Sequence, residues 1–392
     1  MQELRTTTSF CPTCCEEIPA TVYEKDDGIY MKKLCPAGHG PFDVLIERDK
    51  DYYKHWMQND FSNPRPYVSL CIPVTHACNM KCYFCYAPDR ETAEDLPPEK
   101  VKELVRTFPG YHVLFSGGEP TLCQYLPEYL KVANEMKKFH SIATNGIKMA
   151  DKEYMKVLTD AGLGEVTVTI YGFNDEAYGK MAGRPMMKIR KANLENLRKA
   201  GVPVTLSFTV NRGVNEKDIP YLFELAMKNA DMAYQIRMRS VTPSGSGGND
   251  QPLFVSEHIK VFAEIFDVSV EELKEYNYSR GPYMEATFDP MFKVPKNPQH
   301  FELNLIHFLK DQAAKGNKRC QKLLKMRPKK NEDHPDVRMR PDFLILTVWN
   351  WTTLFSADLE YLRNIPLAYH TYNKGVMGFP IAVLLSGKTV KA

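Results

Sequence analysis

Val74-Thr75-His76-Ala77-Cys78-Asn79-Met80-Lys81-Cys82-Tyr83-Phe84-Cys85-Tyr86 is the stretch from which the rest of the chain is read. Three cysteines, separated by three and then two residues, follow an apolar run with the character of a strand. Thiolates are soft ligands suited to iron–sulfur clusters and to zinc. On a four-iron cluster, three thiolates leave one iron without a protein ligand, and an open iron can bind a small molecule. A structural zinc site would instead be closed by a fourth ligand. No cysteine or histidine close downstream supplies one, and His76 is the only near candidate.

Outward from this stretch the chain alternates strand and helix. Strands are expected over Tyr67–Thr75, Tyr111–Phe115, His140–Thr144, Glu165–Tyr171, Val202–Val210 and Ala233–Val241. Helices are expected over Pro97–Phe108, Leu126–Lys138, Asp151–Ala161, Met187–Ala200 and Asp218–Lys228. Pro97 suits a first turn, Asp151 a cap, and Gly201 a helix end. Six strands alternating with helices predict a parallel sheet with right-handed crossovers. Chemistry on such sheets gathers at the C-terminal strand ends. The cysteine loop falls there, as does Ser116-Gly117-Gly118-Glu119-Pro120 after the second strand.

The cysteine triplet and this Gly-Gly-Glu-Pro run, in this order, resemble the radical S-adenosylmethionine (SAM) superfamily. The resemblance implies a partial (β/α)6 TIM-type barrel, a [4Fe–4S] cluster on Cys78, Cys82 and Cys85, and SAM chelating the open iron. It further implies that an electron from the cluster cleaves SAM to a 5′-deoxyadenosyl radical, which takes hydrogen from unactivated carbon. Phe84 matches the aromatic position beside the adenine, with Tyr86 next to it. Ser116, Gly117, Gly118 and Glu119 form the methionine-binding loop, where the Glu119 carboxylate faces the ammonium. Thr144 and Asn145 offer hydroxyl and amide groups to ribose, or form an Asx turn. Ser207 and Thr209 alternate with Leu206 and Phe208 and are candidates to line the barrel. Arg237 and Arg239 share a face; Arg239 is the candidate to bind SAM's carboxylate or the substrate, and joins Glu119 as a candidate catalytic residue.

Upstream, Cys11-Pro12-Thr13-Cys14 is followed about twenty residues later by Cys35-Pro36-Ala37-Gly38-His39-Gly40. Two alternating runs, Ala20–Glu24 and Gly28–Lys32, lie between them around a turn at Asp26-Asp27-Gly28. Two metal knuckles and a hairpin describe a zinc-ribbon-like module with Cys11, Cys14, Cys35 and His39 as ligands and a structural Zn2+ or similar ion. Cys15 competes with Cys14. The expected organisation is this module over 1–62, a core over 63–250 and a C-terminal substrate-covering region over 251–392. Residues 242–249 form a Gly/Ser-rich segment. Helices are expected over Ser256–Phe266, His300–Leu309 and Gln312–Leu324, and strands over Asp342–Trp351 and Pro380–Leu385.

The N-terminal module, Gly179–Pro185 and Val210–Asn215 resemble one narrower group, the class D radical SAM methylases, which includes tetraether lipid synthase and pterin methyltransferases. Two departures stand out. There is one extra residue before His39, and Cys320 is the sole cysteine of the C-terminal region, which disfavours auxiliary clusters. Cys71 is expected in the core, and Cys123 near the loop at Glu119. The resemblance implies C–C bond formation or C-methylation of a small or lipid-like substrate, with an electron donor such as ferredoxin or flavodoxin. The alternatives are a peptide or cofactor maturase and a non-catalytic iron–sulfur/zinc scaffold.

The 392 residues carry a net charge of only +3, which gives no global signal for nucleic acid. There is no apolar run of transmembrane length, and the N-terminus does not read as a signal peptide. Ten cysteines clustered at short spacings favour metal over disulfides in a cytoplasmic setting. Lys310–Arg340 is basic and the C-terminus aromatic; a solvated face and core packing are the default readings, a phosphate-bearing or greasy substrate the sharper ones.

Overall fold

Alternation of β-branched and polar residues over 69–240 builds a parallel sheet in the computed structural model. The structure describes residues 2–62, 65–85, 94–241, 252–279, 283–285, 293–328, 334, 336–340, 342–350, 352–371, 375–378, 381, 382 and 385. Tyr86, Trp351, Tyr372 and the 242–249 segment lie outside them.

The N-terminal module is a four-stranded antiparallel sheet of β1 (Gln2–Phe10), β2 (Glu17–Lys25), β3 (Gly28–Lys33) and β4 (Phe42–Glu47). The expected hairpin is β2–β3, with Lys25 paired to Gly28. Helix α1 (Lys50–Met57) follows, capped by Asp49, and buries Tyr52, Tyr53 and Trp56.

The core then runs β5 (Ser69–Thr75), α2 (Pro98–Thr107), β6 (His112–Gly117), α3 (Leu126–Glu135), β7 (Phe139–Thr144), α4 (Lys152–Asp160), β8 (Val166–Ile170), α5 (Asp175–Ala182), α6 (Met187–Lys199), β9 (Val204–Val210), α7 (Ile219–Lys228) and β10 (Ala233–Ser240). Helix α5 was not among the expected elements. Asn174 caps it, its side chain accepting from the Ala177 N–H, and Gly183 ends it at φ 75°.

Downstream come α8 (Val255–Phe266), α9 (Val270–Tyr278), the short pair β11 (Tyr283–Glu285) and β12 (Lys293–Pro295), β13 (His300–Asn304), α10 (Leu305–Ala314), α11 (Lys318–Lys325), β14 (Ile345–Trp349), α12 (Leu359–Arg363), β15 (Leu367–Thr371) and β16 (Gly375–Gly378). The helix expected over His300–Leu309 is a strand and then a helix, because the Asn304 side chain accepts from the Ile306 and His307 N–H groups and starts α10 there. The helix expected over Gln312–Leu324 is two helices, parted by Gly316 at φ 93° and restarted at the Asn317 cap. The strand expected over Pro380–Leu385 falls largely outside the described residues; Ile381 and Ala382 are helical.

The main sheet has the order β13-β14-β10-β9-β8-β7-β6-β5-β15-β16. Strands β5 to β10 are the six parallel neighbours of a partial (β/α)6 barrel. One further parallel strand is added on each side, β14 beside β10 and β15 beside β5. The helix-facing side is aliphatic: Ile72, Phe115, Ile142, Val168, Leu206, Ile236 and Leu346 belong to one core with Val105, Leu130, Leu197 and Phe223. Alternate residues occupy the other, inner side, among them Thr169, Ser207 and Arg237, which stand in register. The half-buried positions Leu114, Ala143, Thr169, Arg237 and Arg239 all lie on this side, so the inner face, not the helical face, is open to solvent.

Candidate active site

Backbone contact welds the cysteine loop to the Gly-Gly-Glu-Pro loop. Gly118 N–H donates to the Thr75 carbonyl at 2.7 Å and Glu119 N–H to the Ala77 carbonyl at 2.8 Å. The glycines make this approach feasible. A Cβ on Gly118 would sit 2.3 Å from the Ala77 carbonyl oxygen, and one on Gly117, at φ 119°, 2.4 Å from that of Thr75. Asp95 ties down the start of the loop, accepting from Thr75 Oγ1 at 2.7 Å and from the His76 N–H at 2.6 Å. His76 Nδ1 also lies 3.0 Å from Asp95, so this ring nitrogen is engaged away from the cysteines.

Cys78 and Cys82 are half-buried against Met80, Tyr171, Tyr178, Met181 and Met186, with Tyr83 and Phe84 in the same cluster. The Tyr171 hydroxyl lies 3.9 Å from Cys82 Sγ, and its ring packs edge-on to Phe84 with centroids 5.2 Å apart. Burial raises the Tyr171 hydroxyl well above the usual phenol range, and the Cys82 and Arg239 charges both reach it. The Gly179–Pro185 motif is the other wall. Lys81 N–H donates to the Ala182 carbonyl at 3.3 Å, and Arg184 Nη1 to that of Asn79 at 3.3 Å. The Val210–Asn215 motif reaches the same loop, where Asn211 Nδ2 bonds the Tyr83 hydroxyl. An apolar, sulfur-rich shell around cysteines spread along a loop suits a cluster that places each thiolate on a separate iron.

Glu119 is buried at the centre of the site. Its Oε1 accepts from the hydroxyls of Thr121 and Thr144, both at 2.6 Å, and from the Thr121 N–H at 3.1 Å; its Oε2 accepts from the Asn145 N–H at 2.7 Å. Burial raises its pKa, and these donors partly offset the rise. Glu119 therefore joins the ends of β6 and β7 directly. Asn145 forms an Asx turn, its Oδ1 accepting from the Ile147 N–H at 2.9 Å, while its Nδ2 donates to Asn79 Oδ1 at 2.8 Å. Buried Arg190, on α6, donates from Nη2 to the carbonyls of Asn145 and Thr169. On the far side of the barrel Arg239 Nη2 donates to Ser207 Oγ at 3.1 Å. Thr209 is buried on the same strand, and Ser116 is buried beneath the glycine loop. Cys71 is fully buried and its thiol pKa pushed up by burial; Cys123 is half-buried beside the same loop. Asp95, Tyr171 and Arg190 escaped the sequence reading, since each acts through a partner between 19 and 89 residues away.

In the N-terminal sheet the four expected ligand atoms, on Cys11, Cys14, Cys35 and His39, lie within 4.8 Å of one another. Cys14 and Cys35 Sγ are 3.7 Å apart, and His39 Nδ1 is 3.5 Å from Cys35 Sγ and 3.7 Å from Cys11 Sγ. A tetrahedron with zinc–sulfur bonds of about 2.3 Å has edges of roughly 3.8 Å, so the quartet fits zinc. Burial alone would raise the Cys11 thiol, but the Cys14 and Thr13 N–H groups, together with the Cys14 and Cys35 side chains, bring its pKa down to about 6. Gly38 at φ 83° and Gly40 at φ 90° flank His39 on either side. Cys15 lies outside the quartet, at φ 62°.

Residues 72–226 match the model of the radical SAM superfamily, and residues 3–48 match the HMPTM N-terminal zinc ribbon domain. Residues 72–226 form a radical SAM domain. A [4Fe–4S] cluster and SAM are the cofactors of this radical SAM core, and the ribbon in front of it carries a zinc-type site. Among curated relatives, the chain is 32% identical over 271 residues to 7,8-dihydro-6-hydroxymethylpterin dimethyltransferase of Methanocaldococcus jannaschii, covering 61% of this chain and 53% of that protein. It is 38% identical over 160 residues to Fe-coproporphyrin III synthase of Methanosarcina barkeri, covering 39% of each. A probable GTP 3′,8-cyclase of Thermococcus kodakarensis is 30% identical over 181 residues, with 45% of this chain and 58% of that protein covered. The chain thus spans only about half the length of these relatives. Among the described residues no helix is long and apolar enough to cross a membrane.

Proposed function

We propose that this protein is a radical SAM enzyme that forms a C–C bond or adds a methyl group at an unactivated carbon of a small substrate. The observation that carries the reading is a zinc ribbon of the HMPTM type in front of a radical SAM core, together with the similarity to the Methanocaldococcus protein over 61% of this chain. When bound, the reduced cluster and SAM supply a 5′-deoxyadenosyl radical able to take hydrogen from unactivated carbon.

The protein's own residues then have distinct tasks. Cys78, Cys82 and Cys85 hold the cluster. Met80, Tyr171, Met181 and Phe84 keep water from it. The backbone of Gly117 and Gly118 offers an approach that side chains would block. Glu119, fixed by four donors, holds the methionine loop against Thr144 and Asn145 and presents negative charge to an ammonium. Arg239, oriented by Ser207, offers a cation to SAM's carboxylate. Cys11, Cys14, Cys35 and His39 hold a structural zinc. An electron donor of the ferredoxin or flavodoxin type and a cytoplasmic setting belong to this reading.

Anaerobic reconstitution with iron and sulfide, followed by SAM and dithionite, should yield 5′-deoxyadenosine. Cys82→Ala should abolish it, whereas Cys15→Ala should leave it. Absence of 5′-deoxyadenosine from the reconstituted, unmodified chain would exclude the reading.

A further inference from the structure

The inner face of the sheet is lined by hydroxyl, amide and guanidinium groups. Thr169 pairs with Ser207, Ser207 with Arg237 and Arg237 with Thr347, so these four stand in one row across four strands. One step deeper, Thr167, Thr205 and Gln235 form a second row. An apolar ligand against such a wall would strip water from these polar groups without replacing its hydrogen bonds.

Arg237 is half-buried within this wall, and its Nη2 donates to Gln235 Oε1 at 3.0 Å. Gln235 is itself held, its Nε2 donating to Thr347 Oγ1 at 3.2 Å and its Oε1 accepting from Thr205 Oγ1 at 3.1 Å. This neutral clamp orients the guanidinium without cancelling its charge. Among the described residues no carboxylate lies within 4.0 Å of Arg237. Glu165 is near enough to feel its charge, but its two oxygens are engaged by Tyr234 and Arg338. Most of the five guanidinium N–H groups are therefore available to a ligand in a geometry that matches an oxyanion.

We propose that Arg237 anchors an oxyanion, a carboxylate or a phosphate, of a polar substrate seated against the inner face of the barrel. This rests on the enzymatic reading above, and it selects a small anionic substrate over a lipid-like one.

The reconstituted full chain, saturated with SAM, is titrated calorimetrically with pyrophosphate and separately with citrate, with chloride at matched ionic strength as control. The titrations are repeated without SAM. Saturable binding of pyrophosphate alone would identify a phosphate-bearing substrate, and of citrate alone a carboxylate. Arg237→Gln should weaken that binding tenfold or more, and Arg237→Lys by less, while the cluster's spectral response to SAM persists in both. Anion binding no stronger than that of chloride, or equal in the unmodified chain and in R237Q, would overturn the proposal. So would loss of the SAM response in both variants, which would make Arg237 a SAM ligand. Anion binding through Arg237 in a chain that forms no 5′-deoxyadenosine would sink the enzymatic reading alone.

Discussion

Glu119 and Gly118 show how a short motif acts beyond its obvious chemistry. Glu119 is a carboxylate that four donors fix between two strand ends, so its neighbours matter as much as its charge. Thr144→Val removes one donor and should cost about 1–3 kcal/mol in denaturant unfolding, with Thr144→Ser restoring most of it. Gly118→Ala places a methyl 2.3 Å from a carbonyl oxygen of the cysteine loop. It should destabilise by about 1–3 kcal/mol and weaken SAM binding, read from the cluster's spectral response. The cysteines, the glycines and Glu119 are legible in sequence because their spacing is local and their chemistry distinctive. Asp95 and Arg190 are not, because a lone Asp in a loop or an Arg on a helix gives no sign of the carbonyl or hydroxyl it will meet after folding.

At the level of elements, the parallel strands and their helices were readable because each carries its own periodicity and cap; Asp151, for example, starts α4 as expected. The split of His300–Leu309 into β13 and α10 was not, since a short apolar run fits either period and only the Asn304 cap decides. Buried Glu47 links two such elements. On β4, it accepts from Ser256 at the start of α8 and from the Arg48 and Asp49 N–H groups. Burial pushes its pKa up to about 7 despite these donors. The folded state thus holds this proton more tightly than the unfolded chain does. The contribution is fully present below the ordinary carboxylate range and is lost as pH rises through about 7, by up to roughly 3 kcal/mol. Unfolding free energy should fall over that window in the unmodified chain, and Glu47→Gln should flatten the slope; equal slopes would contradict the assignment.

Across the whole molecule, the ribbon is fastened to the barrel through the C-terminal segment. Thr7 and Ser9 bond Asp358 and the Ala357 carbonyl, Lys33 reaches the Leu354 carbonyl at 2.7 Å, and Arg5 pairs with Asp358 and Glu360. The same segment continues into β15, which pairs with β5, the strand that carries the cysteine loop. No local pattern announces this arrangement, because β15 becomes a barrel strand only by pairing with residues about 300 positions earlier. Chelating the ribbon's metal should raise hydrogen exchange in β2 and β3 first and then in β15, while β7 to β9 stay protected. Unchanged exchange in β2 and β3 would show that the ribbon needs no metal.

Three cysteines on a four-iron cluster leave one iron open to SAM. Electron paramagnetic resonance of the dithionite-reduced, anaerobically reconstituted protein tests it most directly. A [4Fe–4S]+ signal should appear, shift when SAM is added and disappear in Cys82→Ala. A signal indifferent to SAM, or zinc in place of iron on Cys78, Cys82 and Cys85, would contradict it.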